Sequence, residues 1–464
     1  MRKHVRRIEK LRGTISLIVL ILGVTLSIAI GGLVLVAATQ YTAATRTEVF
    51  ERSLTVAQSG SEYYRWHLAH DPIDFTDGTG QPGPYVHQMS DPYGNTEGTF
   101  SLAIDPPASG SSIITIHSTG WLNSHPEVTR TVKVRYGIPS LSKYAFLHNA
   151  NVWFGSGLTS HGRVLSNGGI RFDGTNDSTV QSAKDTYTCG SETGCSPAQS
   201  RPGVWGGGGP QSLWEFPVPA VDFNVLAVDF TTLKTSAQND GVYLPPSGSY
   251  GYHLIFTSDG NVTVRRITGA NNRRGWSVEG GCENLYQAIS SESNVGTYAL
   301  ADTPVIFAED HLWVDGVVNG RVTVAAARFP LDINAMNMWI NNSITYIAKD
   351  GHSQLGLFAQ NNIYYALNIP TNFEIDGAIL AQKGRIIRHH YRYGSCSSYS
   401  SAVRNSLTIY GSVISNQKSY WNFGTGPTSG FITRDITYDP TLYFEPPPYF
   451  PTQGEYEFIS WEEE

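Results

Sequence analysis

One stretch constrains this chain more than any other: ISLIVLILGVTLSIAIGGLVLVAA, positions 15–38, contains no charged residue. As a helix rising ~1.5 Å per residue it extends about 36 Å, enough to cross the hydrocarbon core of a bilayer. A signal peptide has an apolar region of only ~7–15 residues, followed by unrelated mature sequence, so the length argues against cleavage and for a permanent span. Ahead of the run, Arg2, Lys3, Arg6, Arg7, Lys10 and Arg12 stand against Glu9 alone, whereas the far flank mixes Arg46, Glu48, Glu51 and Arg52. The excess of cations places the N-terminus in the cytoplasm and everything after the span on the extracytoplasmic side, at the cell surface. Membrane lipid is therefore the first expected partner.

Beyond the span, Phe50, Leu54, Ala57, Ser61, Tyr64 and Leu68 recur in steps of four and three with no proline before Pro72. That spacing is one face of a helix. His70-Asp71-Pro72 supplies its stop, because proline disfavours helical geometry in the residue before it. The predicted order is a cytoplasmic basic leader over 1–14, a transmembrane helix over 15–38 and a helical stalk over 39–70.

The remainder is poor in charge and rich in turn formers: charged residues make up 15% of the chain, which has 47 Gly and 25 Tyr. Such a composition favours strands and tight turns. Short alternating runs at 100–104, 113–117 and 130–136 predict a small antiparallel β domain over 71–138. From 139 to 435 the pattern apolar-x-apolar-x-Gly-x-apolar returns at 163–174, 312–324, 373–380 and 407–414. Alternation interrupted by a recurring glycine suits a turn of a β-solenoid, so a right-handed parallel β-helix is expected, with a β-sandwich as the alternative. The aromatic and Pro-rich tail over 436–464 is expected to cover that coil or cap one end.

Net charge is −7, yet residues 1–12 alone carry +5, leaving −12 on the rest. An acidic ectodomain repels phosphate backbones, so no nucleic acid partner is expected. Of four cysteines, Cys189 and Cys195 are spaced for a small disulfide loop; Cys282 with Cys396 would form the second bridge. Three connectivities are possible from sequence.

At 12–19, RGTISLIV resembles the R-G-x-S-L-I-V start of PilX-type minor pilins, and AQSGSEYY at 57–64 resembles the A-E-A-G-x-E-Y segment of pilin-like assembly proteins. The resemblance implies prepilin processing between Gly13 and Thr14, a pilin-like α+β arrangement over the small β domain, and pilin subunits as partners. Most major pilins have Glu at the fifth mature position; here Ile18 stands there, so the carboxylate that registers subunits has no counterpart. LGLFAQNNIYY at 355–365, FEIDGAILAQ at 373–382, PPPYFP at 446–451 and ISW at 459–461 resemble ectodomains of PilX-like surface proteins with bactofilin-like coils. That family implies no established chemistry.

No nucleophile elbow, zincin, Walker A or EF-hand spacing occurs, and Ser160-His161-Gly162 is not a triad. Asp173, Asp177, Asp310, Asp315 and Asp376 are the carboxylates that a polysaccharide lyase or hydrolase on a β-helix would need on one face; their Gly and Asn neighbours read more simply as turns. The loop from Asp173 to Asp177 lacks a full calcium ligand set. Arg385, Arg388 and the run His389-His390-Tyr391-Arg392-Tyr393 form the basic-aromatic cluster of the ectodomain and read as a solvated strand edge or loop. Trp276 and Trp313 are the tryptophans to test for contact with a surface glycan. The expected function is therefore a non-enzymatic, pilin-like surface protein in type IV pilus assembly or cell-surface attachment, without cofactor or metal. A glycan-binding adhesin and a β-helix polysaccharide lyase or hydrolase are the alternatives.

Overall fold

A computed structural model describes residues 12–108, 111–223, 229–424, 427–452 and 454–464. It is mainly β, with one long N-terminal helix, and divides into two units. The first comprises the chain up to Pro106 with Ile114–Tyr136 and Phe458–Glu464; the second comprises Pro107–Ile113 and Gly137–Glu457.

In the first unit, helix α1 (Arg12–His70) runs unbroken for 59 residues and ends where Asp71-Pro72 requires. Four strands follow: β1 (Tyr85–Ser90), β2 (Thr96–Asp105), β3 (Ile113–Leu122) and β4 (His125–Gly137). The sequence pattern had shown three of these and missed Tyr85–Ser90, whose polar residues hide the alternation. β1 and β2 pair antiparallel, as do β2 and β3. In β3 burial alternates strictly, with Ile114, Ile116, Ser118, Gly120 and Leu122 turned inward.

The inward face packs on the upper half of α1, where Val49, Ser53, Val56, Ala57, Gly60, Ser61, Tyr64 and Leu68 are buried. The expected stripe is corrected at its lower end: Phe50 is 45% exposed and Leu54 only half-buried. Small residues decide this, because the helix lies almost on the sheet. A Cβ on Gly98 would sit 2.7 Å from Val56, one on Gly60 2.7 Å from the Phe100 ring, and one on Gly120 inside the backbone of Ala57.

The expected tail over 436–464 is divided. Leu442 and Phe450 pack in the core of the second unit. Strand Glu457–Glu463 instead joins the first unit's sheet beside β4. There Glu463 pairs with Arg130, Glu462 lies 3.6 Å from Lys133, and Phe458 meets the Tyr136 ring edge-on at 6.2 Å.

The second unit is built on parallel ladders. In one of them, equivalent positions run Val242, Ile306, Val324, Leu357, Ile379, Val413, Phe146, Val164 and Val180, each hydrogen-bonded strand parallel to the next. All nine side chains are buried in one core. The opposite face of the same strands, Phe307, Ala325, Phe358, Leu380, Ile414, Leu147 and Leu165, is also buried, beneath the short helix Phe230–Asp240 and the Leu442 and Phe450 side chains. Burial on both faces explains why runs such as LGLFA and GAILA are continuously apolar. Two residues before Ile379 and Val413 on the same pair of strands, Gly377 and Gly411 are paired, at φ +147° and +146°. A Cβ on Gly411 would meet the Gly377 carbonyl oxygen, so the stacked bend requires glycine.

Two features break the regular spacing. Asn261–Ser277 and Gly281–Ala299 form a long antiparallel insertion on Gly251–Thr257, which itself pairs parallel with Leu312–Val318, and the ladders join out of chain order, with Phe146–His148 placed on Val403–Ser415. The structure forms Cys189–Cys195 and Cys282–Cys396 bridges, both with Cα atoms 5.6 Å apart.

Candidate functional site: the exposed apolar length of the helix

Between Ile15 and Val36 every leucine, isoleucine and valine of α1 is 51–70% exposed, on all sides of the helix. A helix apolar all round needs an apolar surrounding. Two of its hydroxyls are satisfied within the helix: Thr25 donates to the carbonyls of Ile21 and Leu22 at 3.0 Å, and Ser27 to that of Gly23 at 2.8 Å. That leaves no loose donor from those side chains to face hydrocarbon. By length and composition this is one helix able to cross a membrane. Ile18 is 54% exposed amid apolar neighbours. Gly13 and Thr14 lie in the helix's first turn; of the basic leader over 1–14, residues 1–11 and the side chains of 12–14 fall outside the described residues.

Where α1 ends, the chain is fastened by Asp74. Its carboxylate accepts from Thr76 N at 2.8 Å, Thr76 Oγ1 at 2.6 Å and Gly78 N at 2.5 Å, and pairs with His67 at 2.9 Å. The Thr76 hydrogen bonds chiefly hold it down to about 2. Tyr64, one turn before His67, donates to the Asp74 carbonyl at 3.0 Å.

The five candidate carboxylates do not converge; each has its own structural partners. Asp173 accepts from Trp153 Nε1 and Arg171 Nε at 2.8 Å and from Gly207 N at 2.9 Å, which consumes the oxygens a calcium loop would use. Asp177 holds His161 at 2.6 Å. Ser160 is fully buried on the opposite side of that strand from His161, so the two cannot act together. Asp310 accepts from Ser247 N and Oγ at 2.8 and 2.7 Å, and Asp315 lies 3.2 Å from His253 Nε2. Asp376 is fully buried, accepts from Tyr346 N at 2.8 Å and pairs with Lys349 at 3.0 Å; burial raises its pKa against the pull of those partners.

The basic-aromatic cluster is corrected from a solvated edge to an interior. Arg388, His389 and Tyr391 are fully buried, and only Arg392 and Tyr393 of the cluster face solvent. Trp313 is also core, 2% exposed with its indole N–H on the Gln287 carbonyl at 3.0 Å, so it offers no glycan platform. Trp276 is half-buried and stacked on Tyr393 with centroids 4.3 Å apart. The residues missed from sequence are Gly98 and Gly120; a glycine inside an alternating strand is the signal of close backbone approach that identifies them.

No family model matches this chain, and no curated protein matches it. Among solved structures, the competence-associated pilin ComZ from Thermus thermophilus is 14% identical over 90% of this chain and 97% of that one, at a TM-score of 0.30. That score is too low to transfer a fold or a role.

Proposed function

We propose that this chain is a membrane-anchored, non-enzymatic surface protein of pilin-like type, whose helix lodges in the bilayer or among like helices. One observation carries the reading. The single rod of α1 changes character along its length, apolar on every side over 15–36 and clasped by an antiparallel sheet over 49–68. A helix so divided anchors with one half and carries a folded head on the other. The parallel ladders favour a right-handed β-helix over a sandwich as the presenting scaffold, because each strand pairs with the equivalent strand of the next turn. The separate engagement of the five aspartates supports the non-enzymatic reading.

The test is cell fractionation with a photo-crosslinking residue at Leu26. Recovery of the full chain in membranes, cross-linked to lipid or to pilin helices, is expected; recovery in the soluble cytosol would overturn the reading. Mass spectrometry of the N-terminus tests processing separately: a chain beginning at Thr14 supports it, and an intact Met1 rules it out.

A further inference from the structure

The ladders of the second unit have a seam where early and late residues meet: Phe146 pairs beside Val413, and Leu158 beside Arg434. At that seam lies a cavity of about 40 Å³, lined by Phe146, His148, Phe154, Ser419, Trp421 and Arg434. It has room for roughly three waters, or for the heavy atoms of one carboxylate.

Two of its side chains are unfinished. His148 is 1% exposed, and neither ring nitrogen has a hydrogen-bond partner. Burial lowers its pKa to about 3, so the imidazole is neutral at physiological pH and offers one N–H and one lone pair. Arg434 makes no ion pair among the described residues, and its Nε is buried without an acceptor. Burial is also what lowers Arg434, to about 10, with no neighbouring charge contributing.

At Arg388 the two Nη groups donate to the carbonyls of Ala366, Leu367, Ser401 and Ala402, although its Nε, like that of Arg434, is buried without an acceptor. Arg434 has no such cage. Buried polar groups are ordinarily satisfied, so a cation and an imidazole left open on one cavity point to acceptors supplied from outside. A planar carboxylate matches a guanidinium fork with two parallel hydrogen bonds, and its heavy atoms are of the size of the cavity. Trp153 lines the same cavity and is 39% exposed; Arg171 lies over its ring at 4.1 Å, and the exposed part is left for whatever carries the anion. Ser419 Oγ accepts from Ile386 N at 3.3 Å, which leaves its own proton to donate.

We propose that the seam cavity seats the carboxylate of a hexuronic acid, with Arg434 pairing to the carboxylate, His148 and Ser419 donating to it, and the sugar ring lying against Trp153. The site needs no assumption about the membrane helix and goes beyond the pilin-like reading. The detergent-solubilised full chain is titrated with sodium glucuronate, glucose, acetate and phosphate, following tryptophan fluorescence. Saturable binding of glucuronate is expected, at least about tenfold tighter than acetate, with no response to glucose. Arg434→Gln should weaken it at least about tenfold and Arg434→Lys less. His148→Phe, which fills the cavity, should abolish it and decides the matter if the arginine variants melt early. Absence of saturable glucuronate binding, equal binding of glucose or phosphate, or affinity unchanged in these variants would overturn the proposal; acetate binding as tightly as glucuronate would remove the sugar ring from it.

Discussion

The two units hold their strands by opposite means. The first sets one antiparallel sheet against one helix, with a single buried face and contact so close that Gly60, Gly98 and Gly120 fix the separation. The second stacks parallel strands buried on both faces, and its stability is spread over columns such as Leu357, Ile379, Val413 and Phe146. A concentrated contact fails at a point, whereas a distributed one yields by increments.

The largest expected effect follows from that contrast. Gly120→Val drives a side chain into the backbone of Ala57 and should cost more than about 3 kcal/mol, releasing the sheet from α1. Hydrogen exchange should show protection lost over 85–137 and kept over the ladders; equal loss in both would break the comparison. Removing the Cys282–Cys396 bridge, which closes 114 residues of the second unit, should cost about 2 to 4 kcal/mol, read as a lower melting temperature of the ladders alone. Ile379→Val, one methylene from a nine-member column, should cost only about 1 kcal/mol, and a cost several times larger would show that the column acts as a unit.

The smallest effect is a pH slope. His253 lies 2.6 Å from Glu292 and 3.2 Å from Asp315, with Arg265 also on Glu292 at 3.2 Å. Burial opposes its charge, but the hydrogen bonds and charges of Asp315 and Glu292 outweigh it and raise the pKa above 6.5. Its contribution is therefore fully present below the unfolded value and lost as pH rises through the folded one. The second unit should melt lower at pH 9 than at pH 6, and His253→Gln should flatten that dependence.

Legibility in the sequence followed the same division. The apolar run, the helix stop at Asp71 and three strands of the first sheet were readable, because a single buried face writes a period into the chain. The lower end of the helix stripe was not: hydrophobicity selects Phe50, whereas proximity to the sheet selects Val49 and Ser53. In the second unit the recurring glycine marked strands correctly, since 373–380 and 407–414 both lie on ladders. Their order was hidden, as adjacency of Val413 to Phe146 leaves no local trace. The cluster around Arg388 looked like surface because charge suggests water, yet backbone carbonyls replace the solvent there. Nothing local marks His148 and Arg434 as neighbours of one cavity.

Strand Glu457–Glu463 completes a sheet begun by Tyr85–Ser90, and Gly430–Thr437 completes a ladder begun by Leu158–His161. Synthesis delivers both closing pieces well after the strands they complete. A nascent chain halted before residue 403 would therefore expose a bare edge in each half at once, which gives quality-control proteases a plain mark of an unfinished molecule.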